Sequence, residues 1–484
     1  MQRITPDRAW PLHDVAASRA IEQAAAAALP PHTLMQRAGL AVARLAMALA
    51  PHAKTIWIAC GPGNNGGDGL EAAMHLHQWG KQAVVTWLGA EGRAPADALA
   101  SLHRARDGGV MFAPQPPEQW DLAVDALFGL GHSRPLEGAA AQWLQAMNSG
   151  AGAVLAIDVP SGLNSDTGSG EAVRSAHTLT LLTLKPGLFT ANGRDAAGQV
   201  WFDDLGVAPH GAQATASLAG PPVNAARRHA SHKGSYGDAA VIGGASGMAG
   251  AALLAASGAL HGGAGRVYAG LLDSTALTVD ATQPELMIRP WDSLDLAAMS
   301  VACGCGGGDA IRAVLPKVLS TAHALVLDAD ALNAIAADTQ LQSLLQARSR
   351  RSRVTVLTPH PLEAARLLGC GAAQVQADRL AASRELVQRF GCVVVLKGSG
   401  TITAAPARTP LINPTGNARL ATAGSGDVLA GFIAARLARC DDAFMTAAGA
   451  VYEHGLAADR WPVSQALTAS TLARALGGPA NNSR

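Results

Sequence analysis

The sequence predicts two α/β domains, each a sheet covered on both faces by helices in a three-layer α/β/α arrangement. Three observations carry that expectation. At 484 residues and 49% apolar content, the chain exceeds the usual size of a single core. Short β-branched runs alternate throughout with Ala- and Leu-rich stretches, the rhythm of parallel strands joined by helical crossovers. That rhythm lapses over residues 206–222, where Ala, Gly, Pro and Ser take over. The boundary is placed there, giving domains at residues 1–215 and 216–484.

In the first domain, strands are expected at residues 55–60, 82–88, 122–126, 153–158 and 178–184, with helices at 20–28, 69–79 and 139–147. In the second, strands are expected at 238–242, 266–269, 300–303, 324–328, 353–357 and 392–397. Helices at 249–261, 309–320, 361–368, 378–390 and 427–438 fit between or after them. No repeat relates the two halves.

Composition narrows the class of function. The 37 Lys and Arg nearly balance the 36 Asp and Glu, and they are scattered, so no basic face is presented to nucleic acid or anionic membrane. The short basic run at 348–353 reads as a solvated loop. The six cysteines lie far apart except for Cys303 and Cys305, and no second Cys or His pair completes a zinc set. They read as reduced thiols. With no basic-then-apolar leader and no apolar run of the roughly 18–20 residues a membrane span needs, the expectation is a soluble cytoplasmic homo-oligomer with small-molecule partners.

The second half carries the sharpest motif. Residues 420–431 place a turn of small residues, Gly424-Ser425-Gly426, and the carboxylate of Asp427 directly before an apolar helical pattern. Backbone N–H groups freed by glycine, with the positive end of a helix dipole, make a cradle for a phosphate, and Asp427 is placed to take a proton from a hydroxyl. An ordinary helix N-terminus with Asp in its first turn is the bland alternative. Other segments fall at expected strand ends: Gly304 to Gly308, Asp328 to Asn333, Thr358 to Pro361 and Lys397 to Thr401. Singly these read as a helix cap, a rigid turn or a hairpin. Together on one sheet edge they suit transfer or loss of a phosphoryl group.

These segments, with His232 to Gly237 and Gly416 to Gly431, resemble the ADP- or ATP-dependent NAD(P)H-hydrate dehydratases, which have a ribokinase-like fold. The resemblance implies that Lys397, Gly398, Ser399, Gly400, Thr401 and Gly426 hold the nucleotide with Mg2+. It implies that Ala251, Gly308, His360 and Asp427 contact the hydrated cofactor, with Asp427 catalytic. The implied reaction phosphorylates the 6-hydroxyl and then expels phosphate; bacterial members use ADP and release AMP. Two departures stand out. Gly304-Cys305-Gly306-Gly307-Gly308 replaces the commoner Gly-Pro-Gly-Leu-Gly, leaving the contacting glycine open between Gly306 and Gly308, and Leu362 stands where Gly is usual.

In the first half, residues 60–69 contain Gly-x-Gly-x-x-Gly at Gly61, Gly63 and Gly66. A dinucleotide fingerprint is a weak reading of it, because no acidic residue closes the next strand to hold a ribose. A loop binding a phosphate or an ion through Asn64, Asn65 and Asp68 fits the polar content better. Asp125 and Asp158 each stand where a strand stops, and buried acids so placed call for a cation or proton between them.

With Leu34 to Gly39 and Leu184 to Gly187, these stretches resemble the NAD(P)H-hydrate epimerases, with a Rossmann-like fold. The resemblance implies K+ on Asn65, Asp125 and Ser161. It implies substrate contacts from Asn64, Asn65, Gly66, Gly67, Asp68, Gly129, Leu130, Gly131, His132, Ser133, Arg134, Pro135 and Asp158. Asp158 is the expected acid/base, with Lys185 as the alternative, and His132 stands where the family often has Leu.

The two halves complement each other: an epimerase interconverts the R and S hydrates of NADH or NADPH, and a dehydratase converts the S form back to NADH or NADPH. The expectation is a bifunctional repair enzyme. The rival is a small-molecule kinase with a regulatory N-terminal domain, and a third reading makes the first domain a ligand-sensing or protein-binding module.

Overall fold

The computed structural model describes residues 1–131, 135–207, 213–223, 227–273, 275, 277–439 and 442–476. His132, Ser133, Arg134 and Cys440 lie outside the described residues. The chain divides into two compact units, residues 1–5 with 10–217 and residues 6–9 with 218–484. No described helix is long and apolar enough to cross a membrane.

In the first unit, eight strands form a sheet in the order Gln2–Arg3, Gln199–Asp203, His177–Leu181, Ala153–Ile157, Leu122–Ala126, Thr55–Cys60, Gln82–Trp87 and Met111–Phe112. All neighbours are parallel except the pair made by Gln2–Arg3 with Gln199–Asp203. Strand Thr55–Cys60 shows why its sequence is continuously apolar. Ile56, Ile58 and Cys60 join one core with helices Thr33–Leu49 and Asn64–Gln78, while Trp57 and Ala59 join another with helix Gly138–Ser149. Both faces are covered, as a parallel sheet requires. The chain runs from Thr55–Cys60 outward in one direction, then returns to Leu122–Ala126 on its other side. That reversal opens a crevice at the strand ends, where open α/β sheets bind ligands.

The second unit repeats the device. Its strands run in the order Met287–Ile288, Arg266–Leu271, Asp238–Gly243, Ser300–Cys303, Ala324–Leu327, Thr355–Leu357, Val393–Leu396, Ile402–Ala404 and Leu411–Ile412. Pairing is parallel up to Val393–Leu396 and antiparallel beyond. Ala239 and Val241 pack in one core with helices Ala249–His261 and Ser425–Leu437, while Ala240 and Ile242 are equally buried on the other face. The two helices touch backbone to backbone: a Cβ on Gly431 would lie 1.7 Å from the Ala255 carbonyl oxygen. Only glycine permits that approach.

Several expectations need correction. The first-half glycine run is not a loop followed by a helix at residue 69, because the helix begins at Asn64. Gly61, Gly66 and Gly69 are spacers for close packing; a Cβ on Gly66 would stand 2.0 Å from the Gly61 carbonyl oxygen. The strand expected to reach residue 184 stops at Leu181, because Leu182 turns to φ +61°. Lys397 to Thr401 closes a strand as expected, and the same turn leads into the antiparallel strand Ile402–Ala404. Helices Thr33–Leu49, Ala96–Asp107 and Ala443–Arg460 and strand Gln199–Asp203 were not foreseen.

Candidate active sites

At the switch point of the first unit lies a cavity of about 730 Å³. Its wall includes Asn64, Asn65 and Asp68 from the start of helix Asn64–Gln78, Gly129, Leu130 and Gly131 from the turn after Leu122–Ala126, and Asp158. The sequence-derived set is thus largely brought together. Gly66 and Gly67 are buried in helix packing instead, a Cβ on Gly67 meeting the Met35 sulfur at 2.5 Å, and Pro135 is exposed.

Asp158 holds a left-handed backbone at φ +67°, a conformation L-residues adopt at a cost and one that concentrates at functional sites. Its Oδ1 accepts hydrogen bonds from Lys185 Nζ, from the Leu181 amide at 3.2 Å and from Thr180 Oγ1 at 3.4 Å. Lys185 is wholly buried and absent from the cavity wall; its Nζ also donates to Thr180 Oγ1 at 3.0 Å and to the Leu181 carbonyl at 2.8 Å. It therefore positions Asp158. Asp68 is pushed well above the ordinary carboxyl range by burial first, then by the charges of Asp158, Glu22 and Glu71. Glu22, which sequence reasoning missed, lines the same cavity, and burial followed by the Asp158 charge raises its carboxyl too.

Beside this cavity, Asp125 is wholly buried. It accepts from Ser161 Oγ at 2.6 Å, the Ser161 amide at 2.8 Å and the Leu127 amide at 3.2 Å. No cationic side chain pairs with it among the described residues, and burial pushes its carboxyl up to about 6. Ser161 Oγ also contacts the Phe128 carbonyl at 3.2 Å, and a Cβ on Gly129 would stand 3.0 Å from Asn65 Oδ1. The Asn65 amide nitrogen is buried without a partner among the described residues. One unpaired buried carboxylate surrounded by hydroxyl, carbonyl and amide oxygens fits a monovalent hard cation.

The second unit's site forms around Asp328, at the end of strand Ala324–Leu327. As the residue preceding helix Ala329–Ala336 it could have capped that helix, yet its side chain makes no such bond. Its Oδ1 instead accepts from Lys397 Nζ at 2.6 Å and Thr358 Oγ1 at 2.8 Å, and its Oδ2 faces Cys305 Sγ at 4.0 Å. Asp427 sits in the first turn of helix Ser425–Leu437, which begins two residues earlier than expected after Gly424 at φ +87°. Burial first, then the Asp328 charge, pushes its carboxyl up to about 6, while a hydrogen bond from the Cys305 thiol and the Lys397 charge pull it down. Lys397 also faces the helix start, since a Cβ on Gly426 would lie 3.3 Å from its Nζ.

The turn Gly304 to Gly308 lies between the ends of Asp238–Gly243 and Ser300–Cys303, the second unit's own switch point. Gly308, at φ +50°, donates its amide to Asp330 at 2.9 Å, and a Cβ on Gly306 would meet the Ala251 methyl at 2.9 Å. Ala251, Gly306 and Gly308 thus belong to one corner. His360 opens helix Pro361–Leu368; its Nδ1 accepts from the Leu362 amide at 3.1 Å, which leaves the proton on Nε2, 3.2 Å from Glu363 Oε1. Burial and Lys397 lower the His360 pKa, so it stays neutral. Leu362 is exposed at the helix start.

Two supports escaped sequence reasoning. Buried Arg379 donates to the Leu396 and Lys397 carbonyls, both at 3.2 Å, and fixes the turn at Gly398. Buried His454 contacts the Ser425 carbonyl at 3.0 Å. No local motif marks either residue.

Cys305, Asp328 and Asp427 each offer one donor atom within 4.8 Å of the others. They do not fit Mg2+: Asp328 is already neutralised by Lys397, and burial with two neighbouring carboxylates holds the thiol protonated. No step is built on a metal at that trio.

The two folds and their strand-end sites define a two-unit α/β enzyme. Residues 239–477 match the family described as NAD(P)H-hydrate dehydratase, and residues 31–187 match the one described as YjeF-related protein N-terminus. A bifunctional NAD(P)H-hydrate repair enzyme of Escherichia coli is 36% identical, covering 88% of this chain and 85% of that one. An ADP-dependent (S)-NAD(P)H-hydrate dehydratase of Neisseria meningitidis is 46% identical, covering 52% of this chain and 86% of its own length. A solved ADP/ATP-dependent NAD(P)H-hydrate dehydratase of Bacillus subtilis, co-crystallised with ATP and Mg2+, is 31% identical with a TM-score of 0.45, covering 52% of this chain and 91% of that one. The chain belongs to the bifunctional NAD(P)H-hydrate repair enzymes.

Proposed function

We propose that the first unit epimerises the R and S forms of hydrated NADH and NADPH. The second unit dehydrates the S form at the expense of ADP, giving AMP and phosphate. Membership of the repair-enzyme family supports both activities over most of the chain's length. The observation that carries the dehydratase reading is Asp427, half-buried at a helix N-terminus beside Lys397, with a carboxyl raised to about 6.

In this reading Asp427 is ionised at neutral pH and takes the proton of the C6 hydroxyl as the hydroxyl oxygen attacks the terminal phosphate of the nucleotide. Amides at the start of helix Ser425–Leu437, with Gly426, hold the transferring phosphoryl group, and Lys397 adds fixed positive charge. Lys397 to Thr401 cradles the remaining phosphate and sugar, with Mg2+ arriving on the nucleotide as part of the substrate. Ala251, Gly308 and His360 bound the nicotinamide end. Departure of phosphate from C6, in place of hydroxide, together with loss of a proton from C5, then restores the ring double bond.

In the first unit, Asn64, Asn65, Asp68, Gly129 to Gly131 and Asp158 hold the hydrate. Asp158, locked by Lys185, handles the proton of the C6 oxygen. Asn65, Asp125 and Ser161 would hold K+, which supplies positive charge beside the cavity.

The kinase alternative predicts a stable phosphoester, whereas repair restores the absorbance of reduced nicotinamide. Incubating separated R and S hydrates with ADP, ATP and no nucleotide decides between them. The reading predicts ADP-dependent recovery of S at once, and recovery of R at a rate set by the epimerase.

A further inference from the structure

The cavity of the first unit holds one carboxylate that no motif announces. Glu22 lies on helix Val15–Ala28 and lines the same wall as Asp68 and Asp158. That helix is pinned: Asp14 Oδ1 caps it by accepting from the Ala17 amide at 2.8 Å, and Asp166 Oδ1 accepts from the Val15 amide at 2.8 Å. Ser18 Oγ meets Thr183 Oγ1 at 2.7 Å, and the Thr183 carbonyl accepts from Thr180 Oγ1, the hydroxyl that also reaches Asp158. Glu22 stands one helical turn beyond Ser18, on the same face. Its helix is thus keyed to the segment that fixes Asp158.

Glu22 and Asp158 are held in opposite ways. Asp158 Oδ1 takes three donors, so its carboxylate cannot swing across the cavity. Among the described residues, none donates a hydrogen bond to the Glu22 carboxylate. An acid lining a cavity without a hydrogen-bond donor among the described residues is placed to meet a ligand.

Epimerisation needs such a group. The C6–O bond breaks as the departing oxygen takes a proton and leaves as water, while the N1 lone pair closes a C=N bond. Water then adds to C6 from the other face, the C=N pair returns to N1, and the added water gives its proton to a base. Nothing is oxidised or reduced, and the two steps need one group that gives a proton and one that takes a proton.

Other titratable groups on the wall suit this less well. Arg19 offers only donors, His32 Nε2 is engaged by Glu71 at 2.8 Å, and half-exposed Asp97 stands 3.9 Å from His32. Asp68 belongs to the Asn64 to Asp68 run already given to substrate binding. We propose that Glu22 is the second catalytic residue of the epimerase, the proton-handling partner of Asp158 at C6.

This inference rests on the first unit being an epimerase. Burial and the Asp158 charge raise the Glu22 carboxyl, while Lys185 and Arg19 oppose them, and Glu22 in turn helps raise Asp68. A raised carboxyl keeps its proton to higher pH than an ordinary one, which suits a proton donor.

The test measures R-to-S exchange above the uncatalysed rate with the purified full chain, for the wild type, Glu22→Gln, Glu22→Asp and Asp158→Asn. Thermal unfolding reports folding of each variant. Glu22→Gln should lower kcat about 100-fold with KM changed less than about threefold, and should flatten one limb of the pH–rate profile. Glu22→Asp should retain more than about a tenth of the activity and both limbs. Wild-type exchange in a folded Glu22→Gln, or an equal loss in both variants with the pH profile intact, overturns the role of Glu22. No enzymatic exchange by the wild type overturns the epimerase reading itself, and Glu22 falls with it.

Discussion

Lys397 Nζ lies 2.6 Å from Asp328 Oδ1, a carboxylate that is 2% exposed and also bound by Thr358. The lysine expected at the nucleotide is therefore also the counter-charge of the buried hub behind Asp427. Lys397→Met leaves Asp328 buried without its cation. Urea denaturation should show a loss of about 3 kcal/mol from the second unit's transition, together with weakened ADP binding. A neutral effect on both would place Lys397 outside the site.

Asp125 offers a pH test of the proposed cation site. Its carboxyl is raised from an ordinary 3.8 to about 6, so between those values the folded state holds the proton more tightly than the unfolded chain. Without K+, this group's contribution to stability falls as pH rises across that window and stays lost above it. K+ binds the ionised form, so the K+-dependent rise in Tm should grow from pH 5 to pH 7. The rise should disappear in Asp125→Asn.

Cys305 stands where the resembled pattern has proline; its thiol hydrogen-bonds Asp328 Oδ2 at 4.0 Å and helps hold the Asp427 carboxyl down against burial. Cys305→Ala removes that donor. The acid limb of the dehydratase pH profile, expected near 6, should move upward, costing more activity at pH 6 than at pH 8. Cys305→Ser, which keeps a donor, should restore the limb.

Gly431 meets the Ala255 carbonyl where a Cβ would lie at 1.7 Å. Gly431→Ala must part the two helices that carry Ala251 and Asp427. The second unit should lose about 2–3 kcal/mol in chemical denaturation, and dehydration should slow although no site residue has changed.

Strand cores were legible because both faces of each sheet are covered, so runs such as Thr55–Cys60 stay apolar throughout. The placement of the motif residues was legible from local sequence: Asp427 follows a glycine turn at a helix start, and Asp158 follows a strand's end. What misled was glycine. Gly61, Gly66 and Gly69 look like loop residues, yet they let a helix start at Asn64 against neighbouring backbone and side chains. What stayed hidden was tertiary. Glu22 is one acid in an Ala-rich helix, Arg379 and His454 act on turns distant in sequence, and the Cys305–Asp427 contact joins residues from separate βα units.

The central claim is that Asp427 removes the proton of the damaged cofactor's hydroxyl beside a phosphate held at the start of its helix. The most direct test is single-turnover dehydration of the purified S hydrate with ADP by the wild type and by Asp427→Asn, alongside ADP binding. The account predicts a loss of at least about 1,000-fold in turnover with ADP affinity changed less than about threefold. A variant that keeps a tenth of the wild-type rate would contradict it.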